Sequence, residues 1–125
     1  MKQAYYRDKN LTELARGQEC LMRVPGVCNM QNETTVAAHS NQSKHGKGGH
    51  IKAHDTYSVW SCARCHTWLD QSFSADQKTK EQAWMQAFTR QIVAWKAIAG
   101  NISMKPVRVG AARRALEWLT QQKVI

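Results

Sequence analysis

A chain of 125 residues with 42% hydrophobic and 22% charged side chains, seven glycines and two prolines has the composition of one globular unit. It is too short for two independent cores and too apolar for a disordered or fibrous chain. Eighteen Lys and Arg against nine acidic residues leave a formal charge of +9, which favours a polyanionic partner, nucleic acid first. The excess is larger towards the C-terminus: residues 1–70 hold nine basic and six acidic side chains, residues 71–125 nine and three. No run of about eighteen apolar residues exists, and Lys2, Arg7 and Lys9 precede no apolar stretch, so no membrane span and no export signal are expected, and the cytoplasm is the expected compartment.

Taken in chain order, Asn10 followed by Glu13 predicts a capped helix start and Gly17 its end, a short helix over Leu11 to Arg16. Cys20 and Cys28 flank Val24-Pro25-Gly26-Val27, a turn sequence able to fold the chain back on itself. Thr34-Thr35-Val36-Ala37-Ala38 is β-rich and ends at His39. From Ser40 to His54 runs a polar loop with Gly46, Gly48 and Gly49, and with Asn41, Lys44, Lys47 and Lys52 as candidate contacts to a phosphate backbone. Tyr57 to Ser61 alternates like a strand and leads into a helix starting near Cys62, so residues 34–72 read as a ββα unit. Ser74 with Gln77 predicts the start of a longer helix that Gly100 closes, with Trp84, Phe88, Ile92, Trp95 and Ala99 as its packing stripe. A connector over Asn101 to Val109 containing Pro106 leads to a last helix, Gly110 to Lys123, with Ala112, Ala115, Leu116 and Leu119 inward. Arg113 and Arg114 then point elsewhere, to grip phosphates or to keep a surface helix soluble. The organisation expected is a main domain over 1–100, with 101–125 as connector and basic helix packed on it or extending from it.

Four cysteines, Cys20, Cys28, Cys62 and Cys65, in a chain expected in a reducing compartment argue for metal ligation over disulfides. Four soft thiolates suit tetrahedral zinc with no open position, a structural site. All five histidines fall between positions 39 and 66. On a helix beginning near Cys62, His66 and Asp70 share a face, and an imidazole with a carboxylate can hold an oxygen-loving divalent ion, leaving positions for water and substrate. His45, His50 and His54 read as loop histidines, His45 above all as an ordinary exposed one.

The order His39, basic loop, Asp55, Cys62-Ala63-Arg64-Cys65-His66 and Asp70 resembles the HNH nuclease superfamily, whose ββα-metal fold is often braced by a cysteine-bound zinc. More narrowly, Ala15 to Cys20, Val24 to Asn29, Ala38 to Gln42, Gly49 to Lys52 and Cys62 to Asp70 resemble the YbcO-like nuclease family of phages and prophages, over about residues 11–100. The resemblance implies an α+β fold: a small, treble-clef-type ββα-metal core braced by a four-cysteine zinc site, with added N- and C-terminal helices. It further implies metal-dependent hydrolysis of DNA phosphodiester bonds. His39 stands where the superfamily has its general base, His66 and Asp70 where it has helix ligands for a catalytic ion such as Mg²⁺. Asp55 falls near the residue that orients the base, with Asn41 as its rival. One departure is Ala38, where many members carry a further metal ligand; His54, His50 or Asp55 could replace it from the loop.

The reading is therefore an endonuclease of phage or prophage type acting on DNA, alongside a phage or host replication or recombination factor. The alternative is a zinc-braced nucleic-acid-binding module without catalysis, and a third reading is an interaction protein for another phage or host factor.

Overall fold

The structure, a computed structural model, describes residues 5–125. Over the described residues it is a mixed α+β fold with one two-stranded antiparallel sheet and four α-helices: α1 (Lys9–Glu13), β1 (Val36–His39), β2 (Ser58–Ser61), α2 (Ala63–Gln71), α3 (Gln77–Ala99) and α4 (Pro106–Gln121). Among the described residues no helix is long and apolar enough to cross a membrane.

The N-terminal helix is displaced from its predicted start. Asp8, not Asn10, is the cap: its carboxylate accepts the main-chain N–H groups of Asn10 and Leu11, and the regular helix ends at Glu13. An aspartate satisfies these first donors as well as asparagine does, and it also has a tertiary partner that only folding reveals. Gly17, at φ +77°, ends the irregular turns that follow.

β1 pairs with β2 in the register Val36 to Ser61, Ala37 to Trp60, Ala38 to Val59 and His39 to Ser58. All four residues of β2 are buried, whereas along β1 only Ala38 is fully so. Alternation along β1 turns Ala38 to the core and leaves Ala37 and His39 on the opposite face. The core side is closed by α3, where Trp84 donates its indole N–H to the Ala38 carbonyl (3.1 Å) and stacks on Phe88 at 5.0 Å. Gln91, fully buried, accepts the main-chain N–H of Trp60 (2.8 Å). The strand therefore meets a helix through a polar group at a position that the aromatic stripe does not mark.

Both long helices start differently from their predicted bounds. Asp76 caps α3 through the Thr79 N–H (2.8 Å), in place of Ser74, while Gly100 is the C-cap as predicted. The buried face of α3 is Trp84, Ala87, Phe88, Gln91, Trp95 and Ile98, with Ile92 and Ala99 only half-buried. Pro106 is not in a connector: it opens α4 at the first helical position, where a missing N–H costs nothing. α4 packs along α3 and α1 through Ala111, Ala112 and Ala115, small residues that let the helices approach closely, and through the buried Leu119.

The loop between the strands corrects a second expectation. His45 and His54 are buried, not exposed. The His45 ring stacks on Tyr57 at 4.2 Å and shares a hydrogen bond with Ser40 (2.6 Å), while His54 Nδ1 accepts the N–H of Tyr6 (3.0 Å). Gly46 at φ +95° passes so close to His54 that an added Cβ would sit 2.9 Å from its ring. His45 and His54 belong to a packed aromatic cluster, while Asn41 to Lys44 and Gly48 to Lys52 are largely exposed.

Burial, reinforced by the Lys44 charge, pushes the His45 imidazole down to about 4 from 6.5. The unfolded chain therefore takes up a proton near pH 6.5 that the folded chain refuses until about 4, so this contribution is present above 6.5 and is lost as pH falls towards 4. Urea unfolding at pH 7 and pH 5 is expected to differ by about 2 kcal/mol from this group; His45→Asn should lower stability at pH 7 and remove that part of the slope.

Candidate active site

His39 closes β1, and its Nε2 lies 2.8 Å from Oδ1 of Asp55, just before β2. Both are well covered, with side chains 17% and 5% exposed. Burial by itself would raise the Asp55 carboxyl; the hydrogen bonds from His39 and from the Asp8 N–H, with the charges of His39 and Lys52, outweigh it and hold the group below the usual carboxylate range. An ionised carboxylate only accepts, so the proton between the two belongs to Nε2. Nδ1 makes no hydrogen bond among the described residues. With its proton on Nε2, the uncharged form of the ring has its lone pair on Nδ1.

α2 supplies a second pair. His66 and Asp70, one turn apart, bring Nε2 and Oδ2 to 3.1 Å, and both side chains are more than a third exposed. Asn41 donates its amide to the other Asp70 oxygen at 2.8 Å. The Asp70 hydrogen bond, against burial, raises His66; burial raises Asp70, but the hydrogen bonds of His66 and Asn41 and the charges of His66 and Lys47 bring it below its ordinary value. Asn41 and Asp55, rivals in the sequence for orienting His39, have separate tasks: Asp55 holds the imidazole and Asn41 holds the α2 carboxylate.

These groups share one cleft of about 210 Å³, lined by Ala37, His39, Ser40, Asn41, Lys47, Lys52, His66 and Asp70. Larger grooves exist, including one of about 560 Å³ over the Cys20 to Asn32 loop, but no histidine or aspartate lines it. Of the other sequence candidates, Lys44 is exposed and outside the cleft lining, and Arg113 and Arg114 have internal partners, the Ala99 carbonyl (3.2 Å) and the Asp8 carboxylate (2.9 Å). The residues offered to replace a ligand at Ala38 have other contacts. His54 is buried against Tyr6, His50 is exposed away from the cleft lining, and Asp55 is engaged by His39. Ala38 itself is buried in the core, so the cleft offers His66 and Asp70 as its paired donors.

A separate cluster lies at the start of α2. Cys62 caps that helix, its sulfur accepting the Cys65 N–H (3.4 Å), and the Val24 to Val27 turn with Gly26 at φ +73° returns Cys28 towards Cys20. The four sulfurs all lie within 4.8 Å of one another, with Cys28 and Cys62 at 3.9 Å. Zinc–thiolate bonds of about 2.3 Å in a tetrahedron set sulfur spacings of about 3.8 Å, so the donor set fits zinc in number, chemistry and spacing. The thiols already compete for protons: the Cys65 S–H bond to Cys20, opposed by burial, pushes Cys20 down to about 4 and the same bond pushes Cys65 up.

Residues 9–100 match the family described as "Putative nuclease YbcO". The chain belongs to this family. Over 87 residues it is 32% identical to the "Putative nuclease YbcO" of Escherichia coli and equally to that of Enterobacteria phage 82, covering 69% of this chain and 90% of each relative. A solved structure described as a "putative bacteriophage protein" from Escherichia coli is 30% identical, with a TM-score of 0.53 over 67% of this chain and 93% of that one. The YbcO-family match includes all four cysteines and every cleft residue, and it leaves out Tyr6 to Asp8 and α4.

Sequence reasoning missed the Tyr6 to Asp8 segment altogether. Asp8 donates its N–H to Asp55 Oδ2 (2.7 Å), and Arg7 Nη1 stands 3.5 Å from Oδ1. Some 47 positions separate these partners, so no local pattern marks them. For the cysteine cluster, elemental analysis is expected to find one zinc per chain, and Cys65→Ser should lose it together with several kcal/mol of stability. Zinc content unchanged in that variant would exclude the four-sulfur site.

Proposed function

We propose that this chain is a metal-dependent DNA endonuclease of the HNH type, built on a zinc-braced ββα-metal core. The observation that carries the reading is the shared cleft, where a carboxylate-held imidazole, a His-Asp pair on a helix and two lysines face one small volume. Three kinds of group needed for phosphodiester hydrolysis, a base, an ion site and phosphate binders, thereby line one cleft able to take a phosphate, and Asp55 stands behind the base to orient it. The relatives named as nucleases in a phage and in Escherichia coli support the same class of substrate.

In this reading Lys47 and Lys52 bind the phosphates flanking the scissile bond and fix the strand in the cleft. His39 Nδ1 takes a proton from the attacking water as its oxygen bonds to phosphorus. The bond from phosphorus to the 3′ oxygen breaks, and the departing oxygen is protonated from solvent. Asp55 keeps Nδ1 as the unprotonated nitrogen before attack and stabilises the imidazolium afterwards. His66 and Asp70 would hold the divalent ion, Mg²⁺ or a similar one, which supplies positive charge for the phosphate and the departing oxygen. Asn41 fixes the Asp70 carboxylate for that purpose. One observation favours the non-catalytic alternative: the cleft pairs only two donors for the ion, so binding without turnover is the outcome to test against.

Purified protein with Mg²⁺ or Mn²⁺ should nick or linearise plasmid DNA, EDTA should stop it, and His39→Ala should keep the fold at reduced stability while cutting about 10² to 10⁴ times more slowly. Equal inertness of both proteins across metals and substrates would reject catalysis. In the Lys47→Ala/Lys52→Ala double variant the slope of log affinity against log salt should fall by about two; an unchanged slope would remove these lysines from the DNA interface.

A further inference from the structure

The carboxylate that holds His39 is itself held from outside the family match of 9–100. Asp55 receives the Asp8 N–H (2.7 Å) on Oδ2 and its own N–H donates to the Tyr6 carbonyl (2.9 Å), so residues 6–8 run alongside it like a short added strand. Arg7 reinforces the contact: its guanidinium donates to the carbonyls of Ala53 (2.7 Å) and Lys52 (2.8 Å) and stands 3.5 Å from Asp55 Oδ1. One arginine thus ties together the segment carrying the cleft lysine Lys52 and the residue orienting the base.

Residues 6–8 are in turn held by α4. Arg114 donates twice to Asp8 Oδ2, at 3.2 and 2.9 Å, while Asp8 Oδ1 caps α1. Trp118, one turn further, packs edge-on against Tyr6 (5.6 Å between ring centroids) and against Tyr57 (5.6 Å), and lies 5.0 Å from the His54 ring. The Arg114 pair is half-exposed and by itself worth little to stability. Its consequence is geometric: it fixes the residue whose main-chain N–H fixes Asp55. Both partners of this brace, residues 6–8 and α4, lie outside the family match of 9–100.

We propose that Arg7 and Arg114 are positioning residues for the general base: α4 clamps the Tyr6–Asp8 segment onto Asp55, and Asp55 thereby fixes the His39 imidazole with its proton on Nε2 and its lone pair on Nδ1. If the segment lifts, Asp55 loses an N–H donor and a guanidinium, its carboxylate gains freedom to rotate, and the ring can exchange tautomers. The catalytic part of this inference rests on the endonuclease reading; the tautomer part does not.

Long-range ¹H–¹⁵N correlation spectra of the His39 ring, recorded on the full chain at a pH where the ring nitrogens report an uncharged imidazole, test it. The wild type should show one neutral tautomer protonated on Nε2, whereas Arg114→Ala and Arg7→Ala should show averaging of the two nitrogens. Arg114→Lys should return most of the wild-type pattern, and Glu117→Gln, an exposed change on the same helix, should leave it intact. Single-turnover plasmid cleavage should slow between about tenfold and a hundredfold in the two alanine variants, with DNA affinity changed by less than about threefold. Unchanged His39 nitrogens in Arg114→Ala overturn the proposal, and that variant decides the matter if Arg7→Ala does not fold. Tautomer averaging in a protein that cuts no DNA would uphold the clamp and remove the endonuclease reading. Cleavage with His39 nitrogens indifferent to both arginines would do the reverse.

Discussion

The juxtaposition of four sulfurs at the start of α2 is the constraint from which the cleft follows. Cys20 and Cys28 lie on a loop with little regular structure, whereas Cys62 and Cys65 occupy the cap and first turn of the helix that carries His66 and Asp70. Fastening the loop to that helix end fixes where α2 begins, and β2 immediately before it fixes the direction in which it leaves the sheet. In a chain of this size the hydrophobic core alone leaves little margin, and an ion held by the four thiolates would add to the packing of Leu21, Met22 and Val24, which this loop also buries.

A second constraint is the burial of an ionised carboxylate. Asp55 is almost fully covered, and it is tolerable there because His39, the Asp8 N–H and Arg7 surround it. The same arrangement that satisfies the charge also decides the histidine's tautomer. The burial of Asp55 and the placement of the His39 proton therefore draw on one set of bonds, and a change that loosens the N-terminal segment acts on both. The loop root shows the related principle with neutral groups: His45 and His54 are stacked and hydrogen-bonded instead of exposed, anchoring the basic loop at two points.

Much of this architecture was legible in short-range patterns. The strand ending at His39, the strand feeding Cys62, the helix with His66 and Asp70 on one face, and the glycine closing α3 all rest on alternation, helical period or turn chemistry. Helix starts were misplaced where one capping residue competed with another: Asp8 over Asn10, Asp76 over Ser74, and Pro106 as a first helical residue instead of a breaker. Each of these contests is settled by where the chain comes from before it enters the helix, which local propensity does not encode.

The sequence by itself determined which chemistry was available: four thiolates, a histidine-rich stretch, a basic loop and a net positive charge are properties of composition and order. Only the tertiary structure decided the pairings. Asp55 went to His39 and Asn41 to Asp70, His45 and His54 went into the interior, and Arg114 turned inward to Asp8. The physical reason is distance along the chain: partners separated by 16, 29 or 106 positions leave no periodic trace and meet only when the sheet, the sulfur cluster and the packing of α4 bring their backbones together.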